Sequence, residues 1–198
     1  MNRNSRTRSI VLCGLSIALL AVGAAIQITV GPIPFTLQTL MLILIVLILT
    51  PREALVAVGG YLVLGAVGLP IFAGFKGGLG VLFGPTGGFL IGFFVGALLA
   101  CLLRLLLEKR ATKFGTSLAL DVAIILVVMA ASYAFGTAWF VFSTGTAVAQ
   151  ALALCVLPFL LPDALKAAAA FVCAQPVRVA LGRATWRHSS NTASEQGR

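Results

Sequence analysis

Acidic residues are scarce in this sequence: five Asp and Glu stand against fourteen Lys and Arg in 198 residues. Paired carboxylates for acid–base catalysis therefore have few candidates, and Asp121 and Glu108 lie far in sequence from Asp163. Histidine is nearly absent, and the one example, His188, falls in a polar tail, so no metal-ligand set is legible. The cysteines Cys13, Cys101, Cys155 and Cys173 are far apart in apolar surroundings. They form neither a CxxC metal spacing nor a disulfide framework, and read as small core residues. The glycine run Gly77-Gly78-Leu79-Gly80, followed by Gly84-Pro85-Thr86-Gly87-Gly88, has neither GxGxxG spacing nor the GK[ST] ending of a Walker A loop. Neither enzyme chemistry, nor nucleotide hydrolysis, nor a metal or other cofactor is expected of this chain.

What fills the sequence instead is hydrocarbon. Hydrophobic residues make up 60% and charged residues 10%, and the mean hydropathy is +1.10. A soluble core of this size needs a polar shell, and there is almost nothing to build one from between Ile10 and Leu103. Membrane lipid must cover that surface. The net charge of +9 does not signal nucleic acid, because the basic residues are not clustered among aromatics on a soluble face. They punctuate apolar stretches, as anchors of membrane segments do.

Crossing the hydrocarbon core takes about 20 apolar residues, fewer where the bilayer thins locally. Six helices are expected, over 10–30, 35–49, 54–67, 88–107, 118–142 and 162–180, giving an all-α, polytopic membrane protein. The second and third are short for full spans. The first run is followed by further spans and lacks a convincing cleavage site, so it reads as a helix rather than a secretory signal. The apolar stretch 146–161 is expected to be a short extra helix or re-entrant segment between helices 5 and 6. With the N-terminus inside, one face receives Arg3, Arg6, Arg8, Arg52, Arg104, Lys109, Arg110, Lys113, Arg178, Arg183, Arg187 and Arg198, which are 12 of the 14 basic residues. Both termini are then cytoplasmic: a tail over 1–9, a membrane domain over 10–184 and a polar tail over 185–198.

Only Lys76 and Lys166 break that asymmetry, and both fall at outer ends of segments. Three outward connections, 31–36, 69–87 and the run from Pro158 to Asp163, are rich in glycine or proline. Irregular backbone at membrane depth is tolerated where it lines a cavity, so a pocket open to the outside is expected there. Asp163 and Lys166, three positions apart at the start of the last helix, share one face. An ionisable residue at mid-membrane costs roughly 2.5–3.5 kcal/mol on insertion scales and usually faces a cavity. The residues leave two readings open: an ion pair capping the helix behind Pro162, or a ligand site. Thr36, Gln38 and Gln27 are likewise either ligand contacts or interhelical hydrogen-bond formers. The glycines from Gly77 to Gly88 let backbone groups approach a small ligand, or simply reverse the chain. On helix 1, Gly14 with Ala18 and Ala21 with Ala25 are small-xxx-small pairs, a spacing that allows close helix packing.

Specific strings go further. Gly31-Pro32-Ile33-Pro34-Phe35-Thr36-Leu37-Gln38-Thr39, Tyr61-Leu62-Val63-Leu64-Gly65-Ala66-Val67-Gly68-Leu69-Pro70-Ile71-Phe72-Ala73, Gly84-Pro85-Thr86-Gly87-Gly88, and Leu157-Pro158-Phe159 with Asp163 and Lys166 occur in that order. Together the chain closely resembles the BioY family over nearly all of 8–180. That resemblance implies a six-helix, biotin-capturing S-component of an energy-coupling-factor (ECF) transporter in the bacterial plasma membrane. The implied partners are a transmembrane T-component, docked through Gly14 and Ala18, and two cytoplasmic ATPase subunits. A self-sufficient carrier of biotin or a related small molecule, working without the ATPases, is the alternative. The expected biotin contacts are Asp163 to a ureido N–H, Lys166 to the ureido oxygen or the carboxylate, and Thr36, Gln38, Gly84 and Thr86 around them. Phe35 and Phe72 cover the apolar ring, and 69–87 acts as a lid.

Overall fold

A computed structural model describes residues 3–29, 31–108 and 114–182. Lys109, Arg110, Lys113, Arg183, Arg187, Arg198, His188 and the expected 185–198 tail lie outside the described residues, as does Val30. The described chain is helical, with helices α1 (Arg3–Ala25), α2 (Gln38–Ile48), α3 (Pro51–Val67), α4 (Leu79–Phe83), α5 (Gly87–Leu107), α6 (Phe114–Thr144), α7 (Val148–Cys155) and α8 (Leu157–Ala180). A two-residue ribbon, β1 (Gln27–Ile28) against β2 (Phe35–Thr36), is inserted between α1 and α2. Four stretches are long and apolar enough to cross a membrane: Arg6–Ala25, Gly87–Leu107, Gly115–Thr144 and Val148–Ala180. Large apolar side chains such as Val67, Leu106, Phe142 and Val172 point outward, which only a lipid surround makes favourable.

The differences from the sequence expectation have local causes. The first helix stops at Ala25 rather than running to 30, because the ribbon takes over at Gln27 and Pro32 and Pro34 cannot continue a helix. The same ribbon delays the second helix from 35 to Gln38. The third helix starts at Pro51, where Thr50 is the N-cap and the Glu53 carboxylate accepts the Thr50 N–H (3.0 Å) and hydroxyl (2.8 Å). It ends as expected, at Gly68, whose φ of 116° is a left-handed cap. The 69–87 connection contains a short helix, α4. The last helix begins five residues before Pro162: Pro158 occupies its first turn, and Pro162 lies inside it. Asp163 is therefore in the second turn, and the reading of Asp163 as a first-turn capping residue does not hold. Cys101 and Cys155 are buried, but Cys13 is only partly buried and Cys173 is exposed.

The core is organised around α2. Eleven residues rise about 16 Å, against about 30 Å of hydrocarbon, so this helix by itself is too short to cross a full-thickness bilayer. It is a buried strut, with Leu42, Ile43 and Leu47 inaccessible. Beside it α5 and α6 pack closest, along Gly88, Gly92 and Gly96. A Cβ at Gly92 would stand 2.9 Å from the Ser132 Cα, and one at Gly96 3.1 Å from the Val128 Cα. This is the small-residue spacing of a tight helix pair, and it was equally visible in the sequence.

At its C-terminal end α2 is held by two guanidiniums. Arg104 Nη1 donates to the Val46 and Leu49 carbonyls (3.0 and 2.9 Å) and its Nη2 to Leu47 O (2.8 Å). Arg178 Nε donates to Leu47 O (2.7 Å), and its two Nη atoms pair with Asp121 at 2.6 and 2.8 Å. Helix C-termini expose orphan carbonyls, and cations are their natural partners. Arg8, at the same end, donates to Leu181 O. Removing one member of a buried ion pair strands the other. Asp121→Leu is therefore expected to lower stability by about 3–5 kcal/mol. In detergent thermal unfolding, Asp121→Leu combined with Arg178→Met should recover most of that loss.

Candidate functional site

At the opposite end of α2 is a cavity of about 220 Å³. A single water needs roughly 10–15 Å³ of the same measure, so a small organic molecule fits. Its walls come from the ribbon, the start of α2, the 69–87 connection, and α5, α6 and α8. In the ribbon, Gln27 sits directly opposite Thr36, so both side chains leave the same face, and both line the cavity.

Two polar systems meet there. In the first, Asp163 Oδ1 accepts from Lys166 Nζ at 2.8 Å, while Oδ2 accepts the Tyr133 hydroxyl at 2.7 Å. The two charged side chains are 5% and 13% exposed. Packing makes the pair tolerable, because each charge has a direct partner and Tyr133 adds a third dipole. Hydrogen-bonding capacity remains: a carboxylate offers about four acceptor sites and an ammonium three donors, of which the protein uses two and one. In the second system, Gln38 Nε2 donates to the Tyr61 hydroxyl (2.8 Å), which donates to Ile71 O (2.9 Å). Thr36 Oγ1 donates to Gln38 Oε1 at 3.2 Å. Buried Tyr61 thus ties the floor of the cavity to the 69–87 connection. Phe72 packs edge-on against Tyr61 with centroids 5.4 Å apart, and its ring lies where a Cβ of Gly65 would be.

The structure brings together Thr36, Gln38, Phe72, Thr86, Asp163 and Lys166 in the cavity wall. Phe35 and Gly84 are not in that wall. Phe35 stacks behind it on the lining residue Phe159, with centroids 4.1 Å apart. The Gly84 carbonyl is turned to the Trp139 indole N–H at 3.0 Å. Gly14 and Ala18 are on an exposed face of α1 away from the cavity, and nothing lies within 4 Å of a Cβ built on Gly14. Tyr133, Ser132, Met129, Phe89, Phe93 and Lys76 also line the cavity and were not singled out as ligand contacts from sequence. A signal for α6 existed: Asp121 and Ser132 are eleven positions apart, close to three helical turns, so they mark its inward face. Among the described residues, no cluster of His, Cys, Asp and Glu could hold a metal ion.

A sequence model of the BioY family matches residues 1–183. A protein of Pyrococcus horikoshii described as a probable biotin transporter BioY is 36% identical over 170 residues, covering 86% of this chain and 96% of that protein. The biotin transporter BioY of Thermotoga maritima is 49% identical over 83 residues, which are 42% of this chain and 49% of that one. In fold, the crystal structure of the S-component for biotin from an ECF-type ABC transporter superposes with a TM-score of 0.81 at 22% identity, covering 90% of this chain and 94% of that one. By the extent of these matches, the chain belongs to the BioY family.

Proposed function

We propose that the cavity holds biotin and that the chain is the biotin-capturing S-component of an ECF-type transporter in the bacterial plasma membrane. The observation that carries the reading is the Asp163–Lys166–Tyr133 triad, buried among apolar side chains yet facing a cavity with unused acceptors and donors. A ureido ring presents two N–H donors and one carbonyl acceptor. Asp163 accepts a ureido N–H, and Lys166 donates to the ureido oxygen. Thr36, Gln38 and Thr86 complete the polar contacts, and Phe72 covers the apolar ring. Phe35 supports that surface through Phe159 rather than touching ligand.

In this reading the chain is non-catalytic, has six membrane segments with both termini in the cytoplasm, and delivers biotin with a T-component and two ATPase subunits. The self-sufficient carrier is disfavoured by one feature. Below the cavity, Leu42, Ile43, Val46, Ile124 and Val128 form a dry apolar layer, followed by the Arg104 and Arg178 clamp on α2. A carrier needs an inner gate and a polar path, and this layer offers neither. The exposed Gly14 and Ala18 face of α1 is the docking surface for the T-component.

Calorimetry of the purified chain in detergent against biotin, thiamine and riboflavin tests the ligand. Biotin alone is expected to bind. Asp163→Asn and Lys166→Ala should each weaken that binding by at least about a hundredfold, since each leaves a buried polar partner unanswered. Normal biotin affinity in both variants would dismiss this site. Gly14→Leu should leave biotin binding intact and block uptake in cells carrying the whole transporter. Liposomes holding only this chain should accumulate no labelled biotin, and uptake there would favour the independent carrier.

A further inference from the structure

Beyond Asp163 and Lys166, the cavity wall contains a third charged side chain, Lys76. The 69–87 connection presents it on a tight reversal. The Phe72 N–H donates to the Lys76 carbonyl at 3.0 Å, and between them Gly74 and Phe75 adopt φ of 75° and 55°. A left-handed phenylalanine is uncommon. Its own side chain is 71% exposed, so burial of that ring does not account for the turn. What the turn accomplishes is to bring Phe72 and Lys76 together into the cavity wall.

A second side chain converges on the same corner. Gly74 has no Cβ, and the Gln27 Nε2 and the Lys76 Cε lie 3.1 and 3.7 Å from where one would be. Among the described residues, neither the Gln27 carboxamide nor the Lys76 ammonium has a hydrogen-bond or ion-pair partner. The charge balance is uneven as well. Asp163 is matched by Lys166, so Lys76 leaves the wall with one uncompensated positive charge. Lys76 is exposed, so its ammonium stays solvated in the free protein and its lack of a partner costs little.

Given the biotin reading above, on which this inference rests, the ligand has a second polar end: a carboxylate with two oxygens and a negative charge. We propose that Lys76 and the Gln27 carboxamide clasp that carboxylate, making the lid hairpin the element that distinguishes the free acid from its neutral ester. The ureido head goes to Asp163, Lys166 and Tyr133, and the acid to the Gly74 corner. The lid is then drawn over the cavity by the ligand's own charge.

The test compares biotin with biotin methyl ester, which keeps the ring and loses the charge, by calorimetry on the full chain in detergent. The unmodified chain should bind the acid about tenfold or more tighter than the ester. Lys76→Gln should abolish that difference by weakening acid binding, with ester affinity changed by no more than about twofold. Gln27→Glu, which places a like charge at the corner, should reverse the preference. An acid-to-ester ratio unchanged in Lys76→Gln, or equal weakening of both ligands, would overturn the clasp. If the unmodified chain binds acid and ester equally, the clasp fails and the biotin reading stands. If it binds neither, the biotin reading itself fails.

Discussion

In a hydrocarbon surround no solvent answers an unpaired charge, so the two most deeply buried carboxylates among the described residues, Asp163 and Asp121, govern how the rest is built. Asp163 and Asp121 are each almost inaccessible, and each is met by a cation within hydrogen-bonding distance. They stand at opposite ends of the same bundle. Asp121 and Arg178 share one end with Arg104, where every donor of the two arginines that makes a hydrogen bond goes to a carboxylate or to the last carbonyls of α2. Asp163 and Lys166 face a cavity, where their remaining hydrogen-bonding capacity is left for something else.

The two ion pairs differ in how far their hydrogen-bonding capacity is used. The Arg178–Asp121 pair also borders a cavity, of about 230 Å³, but it is bidentate, with both carboxylate oxygens on the guanidinium and the remaining Arg178 Nε on Leu47 O. The Lys166–Asp163 pair is monodentate, supported from one side by Tyr133 and open on the other. Helices α5, α6 and α8 connect the two ends, and α2 lies between them as a short buried strut. The cavity residues are therefore carried on elements whose far ends are pinned. Such elements hold their side chains in place, which is the arrangement that preorganised binding requires.

The 69–87 connection is the exception to this rigidity. It is attached through a handful of contacts: hydrogen bonds from the Tyr61 hydroxyl to Ile71 O, from the Leu69 N–H to Leu64 O at 3.1 Å, from the Gly78 N–H to Gly65 O at 2.7 Å and from the Trp139 indole N–H to Gly84 O at 3.0 Å, and the Phe72 ring seated on Gly65. Segments held by few buried contacts are those that open locally at low cost. Tyr61 joins that segment to Gln38 in the cavity, so the position of the connection and the polar floor are mechanically linked.

The membrane class, the approximate helix positions and the family were all legible in the sequence, because each follows from local hydropathy or from strings of adjacent residues. The end of α1 was not, because the ribbon that stops it at Ala25 rather than 30 is not written in the local sequence. The sequence showed the second helix to be short for a span but could not decide between local thinning of the bilayer and burial by its neighbours, since eleven apolar residues read alike in either setting. Nor could it decide which of two ion pairs is bidentate and which is monodentate, or bring Tyr133 to Asp163 across 30 positions. Those are properties of distance between helices remote in sequence, set by the glycine-lined contact of α5 with α6 and by the packing around α2, and only the folded chain specifies them.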